Sequence, residues 1–200
     1  MDLINLTPEC AALWSGLLLS IPNSRLLLHN PGNTIKKVKA KVCEYFSHNG
    51  VLDRIIFPKE SEEEEERRPE LAEALIPSDF WESIDIFLDT FPFNCTYENC
   101  EALWTGVPVI SMKSARRGSL FGASILTAAK RLNWIANSPE EFTEIGKGLT
   151  KDIKKLKKER LRLQKNIKNS ALFDPNSLSL DIEIALTSLA KKSRPKLSHN

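Results

Sequence analysis

The sequence predicts an α/β protein built on a doubly wound parallel sheet. Three observations carry that expectation. Short, nearly unbroken apolar runs recur at Arg25–Leu28, Arg54–Phe57, Ile84–Asp89, Val107–Ser111 and Trp134–Ala136. Runs of this kind suit strands covered on both faces, as parallel sheets require. Stretches of helical periodicity separate them, the pattern of repeated βα units. The clearest run ends at Asp89, is closed by Phe91-Pro92 and leads into a helix. That places a polar loop outside a strand's carboxyl end, where doubly wound folds bind ligands and where a helix N-terminus favours an anion.

Each element has a local cause. Thr7-Pro8 offers a hydroxyl cap with proline at the first helical position. Leu13, Leu17 and Ile21 follow at helical spacing, so a helix over Pro8–Ser20 is expected, ended by Pro22-Asn23. Asn30-Pro31-Gly32-Asn33 reads as a turn, and Thr34–Phe46 as a helix with Val38, Val42 and Phe46 on one stripe. Glu60–Glu66 holds six Glu and one Ser and reads as a solvated segment. A helix is expected around Leu71–Leu75, and a short one from Glu98 to Trp104, stopped by Thr105-Gly106. Lys113–Gly118 reads as a basic loop and Ser119–Arg131 as a helix. Ser138-Pro139 with Glu141 is a capping signal. Lys151–Lys168 carries nine Lys or Arg against two acids and keeps Ile153, Leu156, Leu163 and Ile167 at helical spacing. A last helix is expected over Ser177–Ala190. Trp14, Trp81, Trp104 and Trp134 read as core residues.

Composition excludes several classes. The chain has 200 residues, 28 Lys plus Arg and 26 Asp plus Glu, a net charge of +2. It is neither a histone-like polycation nor an acidic solvating chain. The apolar run Leu17–Ile21 is far short of the roughly 20 residues that span a bilayer. No basic cluster precedes an apolar stretch at the N-terminus, so no secretory signal is read and a cytoplasmic location is expected. Cys10, Cys43, Cys95 and Cys100 form no CxxC, and His29, His48 and His199 are scattered. Reduced thiols are expected, with no zinc site and no disulfide framework. Cys95 has no His or Lys nearby in sequence to activate it, so a nucleophilic role is not assigned. The basic helix lacks interleaved aromatics, which argues against single-strand nucleic-acid binding.

Three segments together resemble one family. They are Asp85-Ile-Phe-Leu-Asp-Thr-Phe-Pro-Phe-Asn94, Cys100-Glu-Ala-Leu-Trp-Thr-Gly-Val-Pro-Val109 and Gly122-Ala-Ser-Ile-Leu-Thr127. They resemble the C-terminal half of the protein O-linked N-acetylglucosamine transferases, SPINDLY-type enzymes included (glycosyltransferase family 41). Leu6-Thr-Pro-Glu9 with Trp14, Ile21-Pro-Asn-Ser-Arg-Leu-Leu-Leu28 and Asn169-Ser-Ala-Leu-Phe-Asp174 extend the resemblance over most of the chain. Glu60–Trp81 matches least.

The resemblance implies the Rossmann-like C-terminal lobe of a two-lobed GT-B transferase. It implies a UDP-binding lobe over residues 1–150 with an acidic insertion near 60–66, C-terminal helices over 151–190 and a polar tail over 191–200. The implied reaction moves a sugar from UDP-N-acetylglucosamine to a Ser or Thr hydroxyl of an acceptor protein. No metal or other cofactor and no membrane is implied. A separate N-terminal lobe or helical-repeat chain is implied as partner. The UDP contacts carried over are Asn94, Thr96, Tyr97, Glu98 and Glu101; no catalytic residue is assigned.

The chain also departs from the family pattern. Cys95 stands where the family has the glycine of its phosphate turn, and Tyr97 and Glu98 stand where it has a Thr pair. Asn5 replaces a phosphate-gripping Lys, and Leu120 an Arg, although Arg116 and Arg117 lie close by. Only Met1–Asn5 precede the first helix, too few for the family's central first strand, so neighbouring strands are expected to be left with open edges. A second expectation stands beside the enzyme: an inactive descendant that serves as a protein-interaction module.

Overall fold

The computed structural model describes residues 3, 6–28, 36–57 and 78–193. The turn at Asn30–Asn33, the acidic run Glu60–Glu66, the helix expected at Leu71–Leu75, Asn5 and residues 194–200 lie outside them. Helices and short parallel strands alternate in the order α1 (Pro8–Ser20), β1 (Leu26–Leu27), α2 (Lys36–His48), β2 (Ile55–Ile56), α3 (Ser78–Ser83), β3 (Phe87–Leu88), α4 (Tyr97–Trp104), β4 (Val109–Met112), α5 (Phe121–Ala128), β5 (Ile135–Ala136) and α6 (Pro139–Thr150). Two more helices follow, α7 (Ile153–Ile167) and α8 (Pro175–Ser193).

Caps set several of these boundaries. The Thr7 hydroxyl accepts the Cys10 N–H at 3.1 Å with proline in the first turn, so α1 starts where its sequence says. Ser138 accepts from Glu141 N–H and Asp152 from Lys155 N–H in the same way at α6 and α7. Gly106 ends α4 at φ +83, a conformation that favours glycine. The turn also passes so close to α7 that a Cβ there would lie 2.7 Å from the Arg160 carbonyl oxygen.

The parallel layer is divided. β1 pairs only with β2, in register Leu26↔Ile55, and β3, β4 and β5 form a second sheet in that order. The paired strands are shorter than the apolar runs that predict them. Side chains sort to two faces. Leu26, Leu28, Ile110 and Met112 join one apolar cluster with α1, α2 and Phe142 of α6, and Ile86 and Leu88 pack against it. Val109 joins the other with Leu103, Leu126, Trp134, Leu163 and Ile167. Because β1 and β3 share the first face, the two half-sheets lie in one layer with helices on both sides.

Three expectations change. Trp104 is 43% exposed rather than core; its ring meets Phe173 with centroids 4.9 Å apart, and the Lys168 ammonium lies over it at 4.8 Å. Ile153 lies at the start of α7 and is exposed, while Leu156, Leu163 and Ile167 of the same stripe are buried. Arg160 of this basic helix spends its guanidinium inside the fold, donating to the carbonyls of Ile84 at 2.7 Å and Trp81 at 3.1 Å. α8 packs on nothing comparable: residues 175–192 are all exposed. No helix among the described residues is long and apolar enough to cross a membrane.

Candidate functional site

The carboxyl end of β3 opens into the loop that starts α4. Asp89 closes the strand and is 1% exposed. Its backbone stays in the sheet, the N–H donating to Ile110 O at 3.0 Å, and its carbonyl accepts the Trp14 indole N–H at 3.3 Å. Its side chain points into the loop. One carboxylate oxygen accepts the Cys95 N–H at 2.7 Å, the other the Ser111 hydroxyl at 2.6 Å. A single buried carboxylate therefore holds the loop before α4 against the end of β4.

Burial pushes the Asp89 carboxyl up to about 7, because a charged group loses its water there. The hydrogen bonds from Ser111 and Cys95 pull the other way and do not cancel it. Asn94 makes the second brace. Its amide donates to Thr90 O at 2.8 Å, its side-chain oxygen accepts the Gly122 N–H at 3.1 Å, and its own N–H donates to Gly118 O at 2.9 Å. Asn94 thus ties the β3 loop to the start of α5. Gly122 fits there because it has no side chain: a Cβ would overlap the Ser111 hydroxyl and the Asp89 carboxylate.

The five residues singled out from sequence come together at this place. Asn94 lies in the loop, Thr96 caps α4 without a side-chain capping bond, Tyr97 and Glu98 form its first turn, and Glu101 follows one turn later. Thr96 and Tyr97 face solvent, while Glu98 and Glu101 are half-buried. The first N–H groups of a helix have no partner within it, so this end favours an anion. Leu120 and the loop arginines Arg116 and Arg117 are exposed around the turn that precedes α5.

Cys95 is buried beside the Thr90 hydroxyl at 3.4 Å, and burial pushes its thiol up to about 12, with the charges of Asp89 and Glu98 adding to the effect. It is inert as a nucleophile at neutral pH. Cys10, under the same loop, is pushed up further by burial. Sequence reading stopped short of Ser111, Asn99 and Gly122 as parts of this site. Two of them carried a signal, Ser111 as the hydroxyl that closes the apolar run Val107–Ser111 and Gly122 as the first residue of one of the three segments that carry the resemblance. The Asn99 amide donates to Cys95 O at 2.5 Å and is fully buried.

Among the described residues no group of three or more His, Cys, Asp or Glu is arranged to hold a metal ion.

Known proteins share this sequence and geometry. The SPINDLY protein of Arabidopsis thaliana, described as a probable UDP-N-acetylglucosamine–peptide N-acetylglucosaminyltransferase, is 26% identical over 195 residues, 96% of this chain and 20% of that protein. A Caenorhabditis elegans UDP-N-acetylglucosamine–peptide N-acetylglucosaminyltransferase is 26% identical over 194 residues, 96% of this chain and 16% of its own length. The chain thus spans about a fifth of the length of the curated relatives it matches. A mutant O-GlcNAc transferase of Thermobaculum terrenum superposes with a TM-score of 0.73 at 26% identity, over 90% of this chain and 33% of that one. The α/β layer described above is therefore part of a Rossmann-like lobe of the GT-B kind. The sequence profile of glycosyl transferase family 41 matches residues 1–182, and the chain belongs to that family.

Proposed function

We propose that this chain is the C-terminal, UDP-binding lobe of a protein O-GlcNAc transferase, working with a separate N-terminal lobe or helical-repeat chain in the cytoplasm. Residues 1–150 form the nucleotide lobe, 151–190 its terminal helices and 191–200 a polar tail. UDP-N-acetylglucosamine is the donor, and Ser or Thr hydroxyls of a protein are the acceptors. Asn94, Thr96, Tyr97, Glu98 and Glu101 form the UDP contact. Asn94 shapes the loop, the Thr96 hydroxyl and the first N–H groups of α4 meet the diphosphate, and Glu101 takes a ribose hydroxyl.

One observation carries the reading. The Asn94–Glu101 segment sits where the carboxyl end of β3 meets the start of α4, braced from beneath by Asp89 and Asn94. Charge developing on a leaving diphosphate is stabilised by fixed N–H dipoles and hydroxyls aimed at it. A calorimetric titration tests this. UDP is expected to bind with micromolar to millimolar affinity, and Glu101→Ala to weaken it roughly tenfold, the loss of one hydrogen bond to a charged group. Absence of heat and of a thermal shift at millimolar UDP overturns the reading.

A second reading has its own observation. Phe93, Tyr97, Leu120 and Phe121 are 63%, 56%, 43% and 51% exposed on the loops and helix starts around this site. Large apolar side chains gathered in water suit a protein surface better than a diphosphate. A chain that ignores UDP and binds another protein through these residues is an inactive descendant serving as an interaction module.

A further inference from the structure

Asp89 stands between the sheet and the start of α4, the end that favours an anion. Its carboxylate accepts the Cys95 N–H at 2.7 Å and the Ser111 hydroxyl at 2.6 Å, so it grips the loop one residue before Thr96 caps the helix. It is almost wholly buried. The groups that hydrogen-bond it, Ser111, Cys95, Asn99 and Thr90, are all neutral. The ion pairs among the described residues are Arg131–Glu159 and Lys147–Glu144, and neither involves it.

A carboxyl buried without a cation beside it resists ionising, because its charge would lose water that neutral donors only partly replace. The neutral acid keeps both links. One oxygen still accepts the Cys95 N–H, and the protonated one donates to the Ser111 oxygen. Neutral or charged, Asp89 therefore braces the loop, and what changes with its proton is the field at the helix start.

The groups around it leave that proton distinct. Cys10 of α1 and Cys95 of the loop face it, and burial raises both thiols, Cys95 to about 12 and Cys10 further, so neither ionises near neutral pH. Ser111 of β4 and Gly122 of α5 carry no titratable group in this range. The charges nearest these thiols are Glu9 in the first turn of α1, which acts on Cys10, and Glu98 in the first turn of α4, which acts on Cys95. Arg116 and Arg117, before α5, are exposed.

A helix N-terminus carries about half a unit of positive charge. A diphosphate draws on it from the solvent side, and an ionised Asp89 draws on it from beneath. With one hydrogen bond on each side and one residue between, the two anions stand roughly 10 Å apart. At an effective dielectric of about 20, unit charges at that distance change an affinity by on the order of tenfold.

We propose that Asp89 is a positioning residue that couples nucleotide binding to a proton: the neutral carboxyl shapes the loop for the diphosphate, and its ionisation weakens the hold. The proposal rests on the UDP-binding reading above. Its sign is fixed by linkage. A bound anion favours the neutral acid, so affinity is level at low pH, falls as Asp89 ionises and levels off again once the bound form has also lost its proton.

Calorimetric titration of the full chain with UDP-N-acetylglucosamine from pH 5.5 to 8.5 tests it. The sugar blocks the terminal phosphate, whose second proton would otherwise titrate near pH 6. The wild type is expected to bind about tenfold more weakly at pH 8.5 than at pH 5.5. Asp89→Asn, which keeps both links without a charge, is expected to bind equally across the range. The α-amino group, ordinarily near 8, is common to both proteins and cancels. A second measurement needs no variant: the Asp89 carboxyl carbon, followed by NMR in the wild type, is expected to show its titration midpoint rise by about one pH unit when the nucleotide is bound. Parallel affinity profiles or an unmoved midpoint overturn the proposal and leave UDP binding standing. No binding at any pH overturns both.

Discussion

The loop between β3 and α4 has two sides, and they differ in kind. The inner side is densely bonded. Asp89, Asn94 and Ser111 are each engaged, and Gly122 leaves them no spare space. The outer side is loose. Thr96 and Tyr97 stand in solvent, and three residues that depart from the family pattern, Tyr97, Glu98 and Leu120, are on it or beside it, whereas Cys95, a fourth, is buried on the inner side and bonds Asp89 through its backbone N–H, which any residue but proline supplies. The difference teaches that shaping a loop and holding a ligand are separable tasks. A buried network tolerates little change because each lost partner leaves a desolvated group. A solvated rim can be rewritten at small cost to the fold.

The strongest way to break this comparison is to titrate its centre. The folded-state pKa of Asp89 is about 7, above its ordinary 3.8. Between those values the native state holds a proton that the unfolded chain has released. Stability from this group is therefore greatest below about pH 4, falls as pH rises to about 7 and is flat above. The span is at most about 4 kcal/mol at 1.4 kcal/mol per pH unit. In Asp89→Asn, the amide oxygen still accepts the Cys95 N–H and the amide donates to Ser111. Urea midpoints across this pH range should show a falling contribution in the wild type that the variant lacks. Parallel profiles for the two would place the inner network on the same footing as the rim.

Next in size is a reversal of sign between two helical glycines. Alanine in place of glycine within a helix ordinarily stabilises by about 1 kcal/mol. Gly148 of α6 has nothing near its missing Cβ and should behave so. Gly122→Ala should instead destabilise by about 3 kcal/mol, because the added carbon displaces Ser111 and Asp89. Chemical denaturation of both variants measures the contrast.

The outer side is sharpened by Glu98→Thr. A carboxylate about 4 Å from a phosphate costs about 1 kcal/mol even in high dielectric. Removing it should tighten UDP binding at least about fivefold and leave the unfolding midpoint within the small range of surface substitutions. A large loss of stability would show that Glu98 belongs to the scaffold.

Local signals made much of the fold legible. The Thr7-Pro8 and Ser138-Pro139 caps fix helix starts through contacts within three residues, so α1 and α6 could be read directly. Strand positions were legible and strand lengths were not, since Ile84–Asp89 is mostly apolar but pairs with β4 only where the partner's carbonyls reach it. The site was legible as a loop at a carboxyl end. Its buried brace was not, because Asp89 meets Ser111 across 22 positions and Asn94 meets Gly122 across 28. No periodicity reports such pairs. Trp104 was misplaced for a similar reason: its cover comes from Phe173 and Lys168 at the far end of α7, and that cover is partial.

α8 is a rod about 28 Å long, and it contributes no buried residue to the body it leaves. Leu178, Leu180, Ile182, Ile184, Leu186 and Leu189 are each at least 50% bare to water. Such a rod is adhesive: it sets how the chain sticks to itself and to surfaces without setting how well it folds. Ending the chain at Asp174 should hold the unfolding free energy within about 0.5 kcal/mol and raise the concentration at which the protein clouds.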